Sequence, residues 1–427
     1  MADREVEVVV RVADADVLAG RLWCHRRRGK ESQTFRYTSE YLGLPGAYEL
    51  DPLLPMVEGS QQTPANRATF GAFSDAAPDR WGRRLIGRAE RRRVKREGGT
   101  VRSFGEADYL LGVRDDLRQG ALRFREVNAG VFLAPPDTGV PSLLDLPKLL
   151  GAADRLERDQ ESEEELATLL RGGSSLGGAR PKAHVRDDSG RVAIAKFPSP
   201  INDDWDVMRW EAIALTLARA AGIRVPDHKL HVIDGQSVLV VDRFDRVGSI
   251  RIGYVSALTM LECIDGEGGS YLEIADVITR HSPSAADDLR ELWRRMAFSV
   301  LISNFDDHLR NHGFLRTSTS GWSLSPAFDL NPDPRPGERY LSTAIDFDDT
   351  EARVDLLLEV APEFRLTRLQ AVQALGDVHA AVGRWREVAR QSGVNDAEVA
   401  LMEPAFTHQA RTEAERVVAE SRDLGRT

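Results

Sequence analysis

Apolar residues come in short runs through residues 5–45: Val6 to Val12, Val17 to Trp23, then Phe35, Tyr37 and Tyr41, with Gly20 and Gly43 between them. Runs of this length, rich in β-branched and aromatic residues, predict strands. From Asn66 to Glu97 the pattern lengthens to a helical period that begins around Ala68, breaks at Pro78 and stops at Gly98 and Gly99. A small α/β unit is expected here. The stretch Gly130 to Val140, with Pro135, Pro136 and Gly139, reads as a connection and places a domain boundary near 140. Leu143 to Leu170 is helical in pattern and acidic between Asp154 and Glu165. A glycine-rich loop, Gly172 to Gly178, leads into strand-like runs at His184 to Arg186 and Val192 to Phe197. Around Trp210 a helical period sets in, carried by Ile213, Leu215, Leu217 and Ala221 and ended by Gly222. Lys229 to Val241 is strand-like again, and the rest is mostly helical, without internal repeats or low-complexity tracts.

At 427 residues the chain exceeds the usual size of a single core, so two packed lobes or domains are expected. With 42% hydrophobic and 29% charged residues it has the makeup of a globular protein. The net charge of -10 argues against a surface that is basic throughout, so any contact with a polyanion must be local. The dense basic stretch runs from Arg83 to Arg96, where Arg83, Arg84, Arg88, Arg91, Arg92, Arg93, Lys95 and Arg96 outnumber Glu90. It reads either as a solvated helical face or as a docking patch for a phosphate backbone or an acidic partner. Cys24 and Cys263 match no zinc or redox spacing, which fits a reducing compartment. No apolar run approaches the length of a membrane span and the N-terminus is charged from its third residue, so a cytoplasmic protein with no membrane partner is expected.

The strongest chemical signal is FSVLISNFDDHLRNHGFL followed by LSPAFDL. Asp306 and Asn311 stand as D-x-x-x-x-N, and Asp329 follows. Phosphoryl transfer needs one carboxylate to accept a hydroxyl proton and oxygen ligands from separate segments to hold magnesium against the phosphates. Asp306 suits the first role, Asn311 and Asp329 the second. Adjacent Asp307 is also a carboxylate, and spacing alone favours Asp306. Taken singly, Asp and Asn in a polar loop are more often turn-formers.

Other runs add weight. GGSSLGGARPKAHV precedes the strand VAIAKF, and amides freed by its glycines could cradle anionic oxygens, which makes Ser175, Gly177, Gly178 and Lys182 candidate nucleotide contacts. It is neither a Walker A sequence nor G-x-G-x-x-G, and alone it would read as a flexible connection. Lys196, flanked by apolar residues in VAIAKFP, suits a lysine that contacts nucleotide phosphates, and Glu211 fifteen residues later suits its helical ion-pair partner. VLVVDRFDR is an apolar strand turning polar at Asp242, where backbone groups near Asp242 and Phe244 could read an adenine.

Together SSLGGARPK, IAKFP, VDRFDR, NFDDHLRNHGF and LSPAFDL resemble the HipA family of serine/threonine kinase toxins. GRLW, FRYTSEYL and FSDAAPDRWGRRLI resemble that family's amino-terminal domain, so the resemblance covers nearly the whole chain. It implies an α+β, protein-kinase-like two-lobed fold. A small amino-terminal α/β domain (1–140) would precede a kinase domain (141–427), with a nucleotide-binding part at about 141–250 and a mainly helical catalytic lobe at 251–427. It further implies transfer of the ATP γ-phosphoryl group, with Mg2+, to a serine or threonine hydroxyl. Asp306 would be the base, Asn311 and Asp329 the magnesium ligands, Lys196 the phosphate contact, and His308 a support for the catalytic loop. The regulatory autophosphorylated serine would be Ser175, with Ser174 as rival; a phosphate there would eject the loop or block the nucleotide. The implied partners are an aminoacyl-tRNA synthetase as protein substrate and a small helix-turn-helix antitoxin, with DNA contacted only through the antitoxin. Two positions depart from relatives: Asp242 replaces a glutamate found in some, and Asp307 a glycine found in others, leaving the proton acceptor open.

Two other readings remain. One is a catalytically silent, nucleotide-binding co-repressor that holds a DNA-binding protein; the combination of Lys196, Asp306, Asn311 and Asp329 speaks against lost catalysis. The other is a small-molecule kinase, because fold does not fix substrate.

Overall fold

The computed structural model describes residues 4–134, 139–173 and 178–424. The fold is α+β, and it divides into two compact units. The first comprises Met1–Asp203, His231–Ile264 and Leu315–Ser320, the second Asp204–Leu230, Asp265–Phe314 and Gly321–Thr427. The boundary expected near residue 140 lies inside the first unit.

The first unit opens with the predicted strands, β1 (Arg4–Val12), β2 (Ala15–Arg27) and β3 (Lys30–Tyr37). With the short β4 (Gln61–Gln62) and β5 (Arg123–Glu126) they form an antiparallel sheet in the order β4-β3-β2-β1-β5. Val6, Val8 and Val10 of β1 are fully buried. A register shift between Val8 and Val9 bends the β1–β2 ladder next to Gly20. Only glycine fits at Gly20, because a Cβ there would lie 2.3 Å from the Arg36 carbonyl oxygen. Phe35, Phe70, Phe73 and Phe124 fill the core with edge-to-face contacts, Phe73 touching each of the other three.

A second sheet, ordered β6-β7-β9-β8, is built from β6 (Lys182–Arg186), β7 (Val192–Lys196), β8 (His228–Ile233) and β9 (Gln236–Asp242). Asp234 and Gly235, both at positive φ (+49° and +80°), turn the chain into β9. Helices Arg80–Glu97, Leu146–Glu157 and Glu163–Arg171 share one apolar core with this sheet, in which Trp81, Leu149, Leu156 and Leu169 meet Val185, Phe197 and Val238.

The basic stretch on Arg80–Glu97 is largely committed to acidic partners within this unit. Arg83 forms a bidentate pair with Glu106 at 2.5 and 2.6 Å, Arg84 pairs with Glu157, Arg88 with Asp159, and Arg92 with Glu161 at 3.0 Å. Arg93 is held by Glu90 at 2.9 Å. The arginines therefore fasten the helix to its acidic neighbours, which favours the helical-face reading over a docking patch.

The second unit is mainly helical, as expected for the carboxy-terminal part. Its helix Ala285–Ile302 is buried along most of its length, with Leu289, Leu292, Trp293 and Met296 fully enclosed. Trp293 donates its indole N–H to the Leu357 carbonyl at 3.0 Å. Helix Val207–Ala220 packs Trp210 against Trp385 and Phe406, and Trp385 stacks on Phe406 with centroids 4.7 Å apart. Gly222, at φ +77°, stops the chain after this helix, as the sequence pattern predicts.

Candidate active site

The candidate residues fall into two groups, one in each unit. In the first, Gly172 and Gly173 begin the glycine-rich loop directly after helix Glu163–Arg171. Gly173 has φ +73°, and a Cβ on it would come within 2.6 Å of Leu117. The start of the loop is anchored by His184 on β6. The His184 amide donates to the Gly172 carbonyl at 2.7 Å, and Nδ1 lies 2.8 Å from the same oxygen. Nδ1 must therefore carry the proton, which leaves Nε2 to accept from Arg243 at 3.0 Å. Burial, reinforced by the Arg243 charge, pushes the His184 pKa down to about 3, so the ring stays neutral.

Arg243 in turn forms a buried pair with Asp245 at 2.6 Å, and the Asp245 carboxylate accepts the Gly120 amide at 2.8 Å and an Arg246 guanidinium at 2.8 Å. Burial alone would raise the Asp245 carboxyl, but the two arginines hold it well below the ordinary range. The arginines and second aspartate of VDRFDR thus act as an internal brace. Asp242, at the end of β9, pairs with Arg191 at 3.3 Å. Phe244 is half-buried, its ring 6.4 Å from that of Tyr254.

Lys196 ends β7, opposite Lys182 on β6 and Leu239 on β9, and is half-buried. Lys182 is buried and its ammonium pairs with Asp79 at 2.9 Å. Asp79 also caps helix Arg80–Glu97 through the Gly82 amide at 2.7 Å. Gly178 has φ +115°, and a Cβ on it would meet the Lys182 ammonium at 2.8 Å. Ser174, Ser175 and Gly177 lie outside the described residues.

The second group sits in the helical unit. Glu211, the expected partner of Lys196, lies on helix Val207–Ala220 and is 2% exposed. Asp306, His308, Asn311 and Asp329 gather around the end of helix Ala285–Ile302, which stops at Ser303 in the left-handed conformation (φ +57°). The next residues distinguish the two aspartates. Asp306 is exposed; Asp307 is 3% exposed. The Asp307 carboxylate accepts the hydroxyls of Tyr271 and of Ser299, the latter at 2.9 Å, and lies 3.3 Å from His312 Nε2. Burial pushes the Asp307 carboxyl up, but His312, Tyr271 and Ser299 outweigh it and hold it below the usual carboxylate range. Its backbone carbonyl accepts Thr343 Oγ1 at 2.6 Å, while the Phe305 carbonyl accepts the Ser342 amide at 2.9 Å and hydroxyl at 2.8 Å. Asp306 is thereby flanked by two fixed peptide groups.

Asn311 closes the loop, its Nδ2 donating to the Asp306 carbonyl at 3.0 Å. With Nδ2 used in this way, Oδ1 is left as an oxygen donor for a cation. His308 is exposed and precedes the short 3-10 turn Leu309–Asn311. The imidazole placed against Asp307 is that of His312, packed edge-on to Tyr271 with centroids 5.4 Å apart. Asp329 adopts φ +59° and accepts the Asn331 Nδ2 at 3.3 Å. Tyr271, Ser299, Asn304 and His312 were not singled out by sequence, although the run NFDDHLRNH begins with Asn304 and ends with His312.

Among the described residues no group of three or more His, Cys, Asp or Glu is placed to hold a metal ion. Magnesium at a phosphoryl-transfer site does not need such a group, since one or two protein oxygens plus substrate phosphates and water complete its shell. Hard oxygen donors on Asp329 and Asn311 fit that demand.

Residues 174–386 match the HipA-like C-terminal domain, and the chain belongs to the HipA-like family. The fold agrees: a chain of the Shewanella oneidensis MR-1 toxin–antitoxin complex of HipA, HipB and operator DNA superposes with a TM-score of 0.67, covering 98% of this chain and 99% of that one at 18% identity. Among curated proteins, the chain is similar to "Putative kinase Y4dM" of Sinorhizobium fredii, 30% identical over 159 residues, and to "Putative kinase" of Haemophilus influenzae, 27% identical over 135 residues. The matches cover 34% and 28% of this chain but only 38% and 39% of those proteins. No helix of the described residues is long and apolar enough to cross a membrane.

Proposed function

We propose that the protein is an ATP- and Mg2+-dependent serine/threonine protein kinase. The observation that carries this reading is the unequal fate of the paired aspartates: Asp307 is enclosed by Tyr271, Ser299 and His312, whereas Asp306 is exposed between two fixed peptides with Asn311 bonded to its carbonyl. A general base must reach its substrate, and Asp306 alone of the two is accessible.

In the reaction, ATP supplies the γ-phosphoryl group, which bonds to the acceptor oxygen as its bond to the ADP leaving group breaks, while magnesium offsets the phosphate charge. Asp306 takes the proton of the attacking hydroxyl on its carboxylate. Asn311 Oδ1 and the Asp329 carboxylate would hold the cation, and the Lys196 ammonium would bind phosphate oxygens. The neutral His184 and the Arg243–Asp245 pair hold the start of the glycine-rich loop. Gly178 would contact the phosphates, and the backbone about Asp242 and Phe244 would contact the base.

The family suggests the wider role. The substrate would be a translation component such as an aminoacyl-tRNA synthetase, and the activity would be silenced by autophosphorylation at Ser175 or Ser174 and by a small helix-turn-helix antitoxin. The Shewanella complex, which contains HipA, HipB and operator DNA, supports such a partner.

The test is phosphorylation with Mg2+ and ATP by wild type and by Asp306→Ala, read by mass spectrometry of the chain and of a bacterial extract. Phosphate on Ser174 or Ser175 and on an extract protein, lost in the variant, supports the reading. Nucleotide binding without phosphate transfer would instead favour a co-repressor, and transfer only to metabolites a small-molecule kinase.

A further inference from the structure

One residue beside the candidate metal ligands is unexplained by fold or by the roles assigned above. Asn331 follows Asp329 by two positions and is held through its backbone on one side and its side-chain amide on the other. Its backbone N–H donates to Asn304 Oδ1 at 3.1 Å, and its Nδ2 donates to Asp329 Oδ1 at 3.3 Å. Asn304, fully buried, is itself fixed, because its Nδ2 donates to Ser299 Oγ at 3.3 Å. The Ser299 hydroxyl has a single proton and spends it on Asp307 at 2.9 Å. A directed chain therefore runs from Asn304 through Ser299 to the buried aspartate of the catalytic loop, and Asn331 donates both into it, from its backbone to Asn304, and to Asp329, from Nδ2.

The amide orientation of Asn331 follows from its partner, since a carboxylate oxygen can only accept and the group facing it must be Nδ2. Asn331 Oδ1 is then a buried acceptor with no hydrogen-bond partner among the described residues. A buried acceptor left unsatisfied is costly and calls for a donor such as a bound water. A hydrated cation held by Asp329 supplies such a donor through its coordinated water.

We propose that Asn331 is an outer-shell positioning residue for the metal, orienting the Asp329 carboxylate through Nδ2 and accepting a water of the hydrated cation at Oδ1, with Asn304 tying this arrangement to the catalytic loop. This rests on the kinase reading and deepens it. Partners that orient a ligating carboxylate affect metal affinity strongly although they never touch the metal.

Mn2+ serves as the probe, titrated by EPR into the full chain with a non-hydrolysable ATP analogue, for wild type, Asn331→Ala and Asp329→Ala. Asn331→Ala is expected to weaken Mn2+ binding about tenfold, leaving affinity for the metal-free analogue and the melting temperature unchanged. A merely structural role would lower all three together, and that result, or Mn2+ affinity within about twofold of wild type, overturns the proposal. The control separates the two levels of the argument. If wild type binds Mn2+ with the analogue and Asp329→Ala abolishes it, the metal–nucleotide site that the kinase reading needs stands whatever Asn331 does; if wild type binds no Mn2+ at all, the kinase reading falls first.

Discussion

Replacing Tyr271 by phenylalanine removes one hydroxyl and leaves the ring in place, isolating the bond that Tyr271 donates to the Asp307 carboxylate. Both groups are buried, so water cannot substitute for the lost donor. A hydrogen bond to a charged group contributes about 1.5–3 kcal/mol, and Ser299 and His312 remain to serve the carboxylate, so a loss of about 2 kcal/mol is expected at neutral pH. That lowers the folded-to-unfolded ratio by a factor of about 30. The pH dependence has a definite sign. The Asp307 pKa is lower in the folded protein than in an unfolded chain, so its contribution is complete above the ordinary carboxylate range and fades as pH falls towards the folded value. Removing the hydroxyl raises the folded pKa, so the gap between variant and wild type should be widest near neutrality and narrow on acidification. Urea denaturation of the second unit, followed through tryptophan fluorescence at pH 7 and again near pH 4, measures both quantities. A difference under about 0.5 kcal/mol at pH 7, or a gap that widens in acid, would refute the account of Asp307 as an anchored structural carboxylate.

The remaining expectations concern other parts of the site and its support. Asp306→Asn should lower kcat by a factor of about 10²–10⁴ with an unchanged melting temperature, because Asp306 is exposed, whereas Asp307→Asn should lower the melting temperature as well. His184 is neutral when folded and its pKa is depressed to about 3, so its contribution is complete above the ordinary histidine value and declines as pH drops below it. Acid titration of stability should therefore be shallower in His184→Gln than in wild type, with denaturation midpoints as the measure. Arg84→Ala leaves the buried Glu157 carboxylate with Ser199 and Asn202 as its partners among the described residues and should cost about 2 kcal/mol. Arg91→Glu, at an exposed position on the same helix, should change stability by less than about 0.5 kcal/mol.

Local pattern was enough to find most elements and the outline of the site, because the forces involved act over a few residues. The break at Pro78 separates helix Gly71–Asp75 from Arg80–Glu97, and Gly98, at φ +78°, ends the second. The run Lys229 to Val241 reads as one strand but folds as two, because Asp234 and Gly235 both take positive φ, which an Asp-Gly pair tolerates and which the apolar residues on either side obscure. Tyr41 follows the aromatic alternation of β3, yet Thr38 caps the turn Ser39–Leu42 and places it on a helix. The site shows the same division between near and distant forces. D-x-x-x-x-N spacing is local and visible, but the choice between Asp306 and Asp307 depends on Tyr271, thirty-six positions away, whose phenol encloses one carboxylate and not the other. Likewise VDRFDR reads as a polar strand end, while its inner residues Arg243 and Asp245 are used to hold His184 and Gly120, fifty-nine and one hundred and twenty-five positions distant. Sequence exposes the chemistry a loop can offer; which of two equivalent carboxylates remains reachable is set by groups that only the tertiary fold brings alongside, while Asn311 holds the peptide between them.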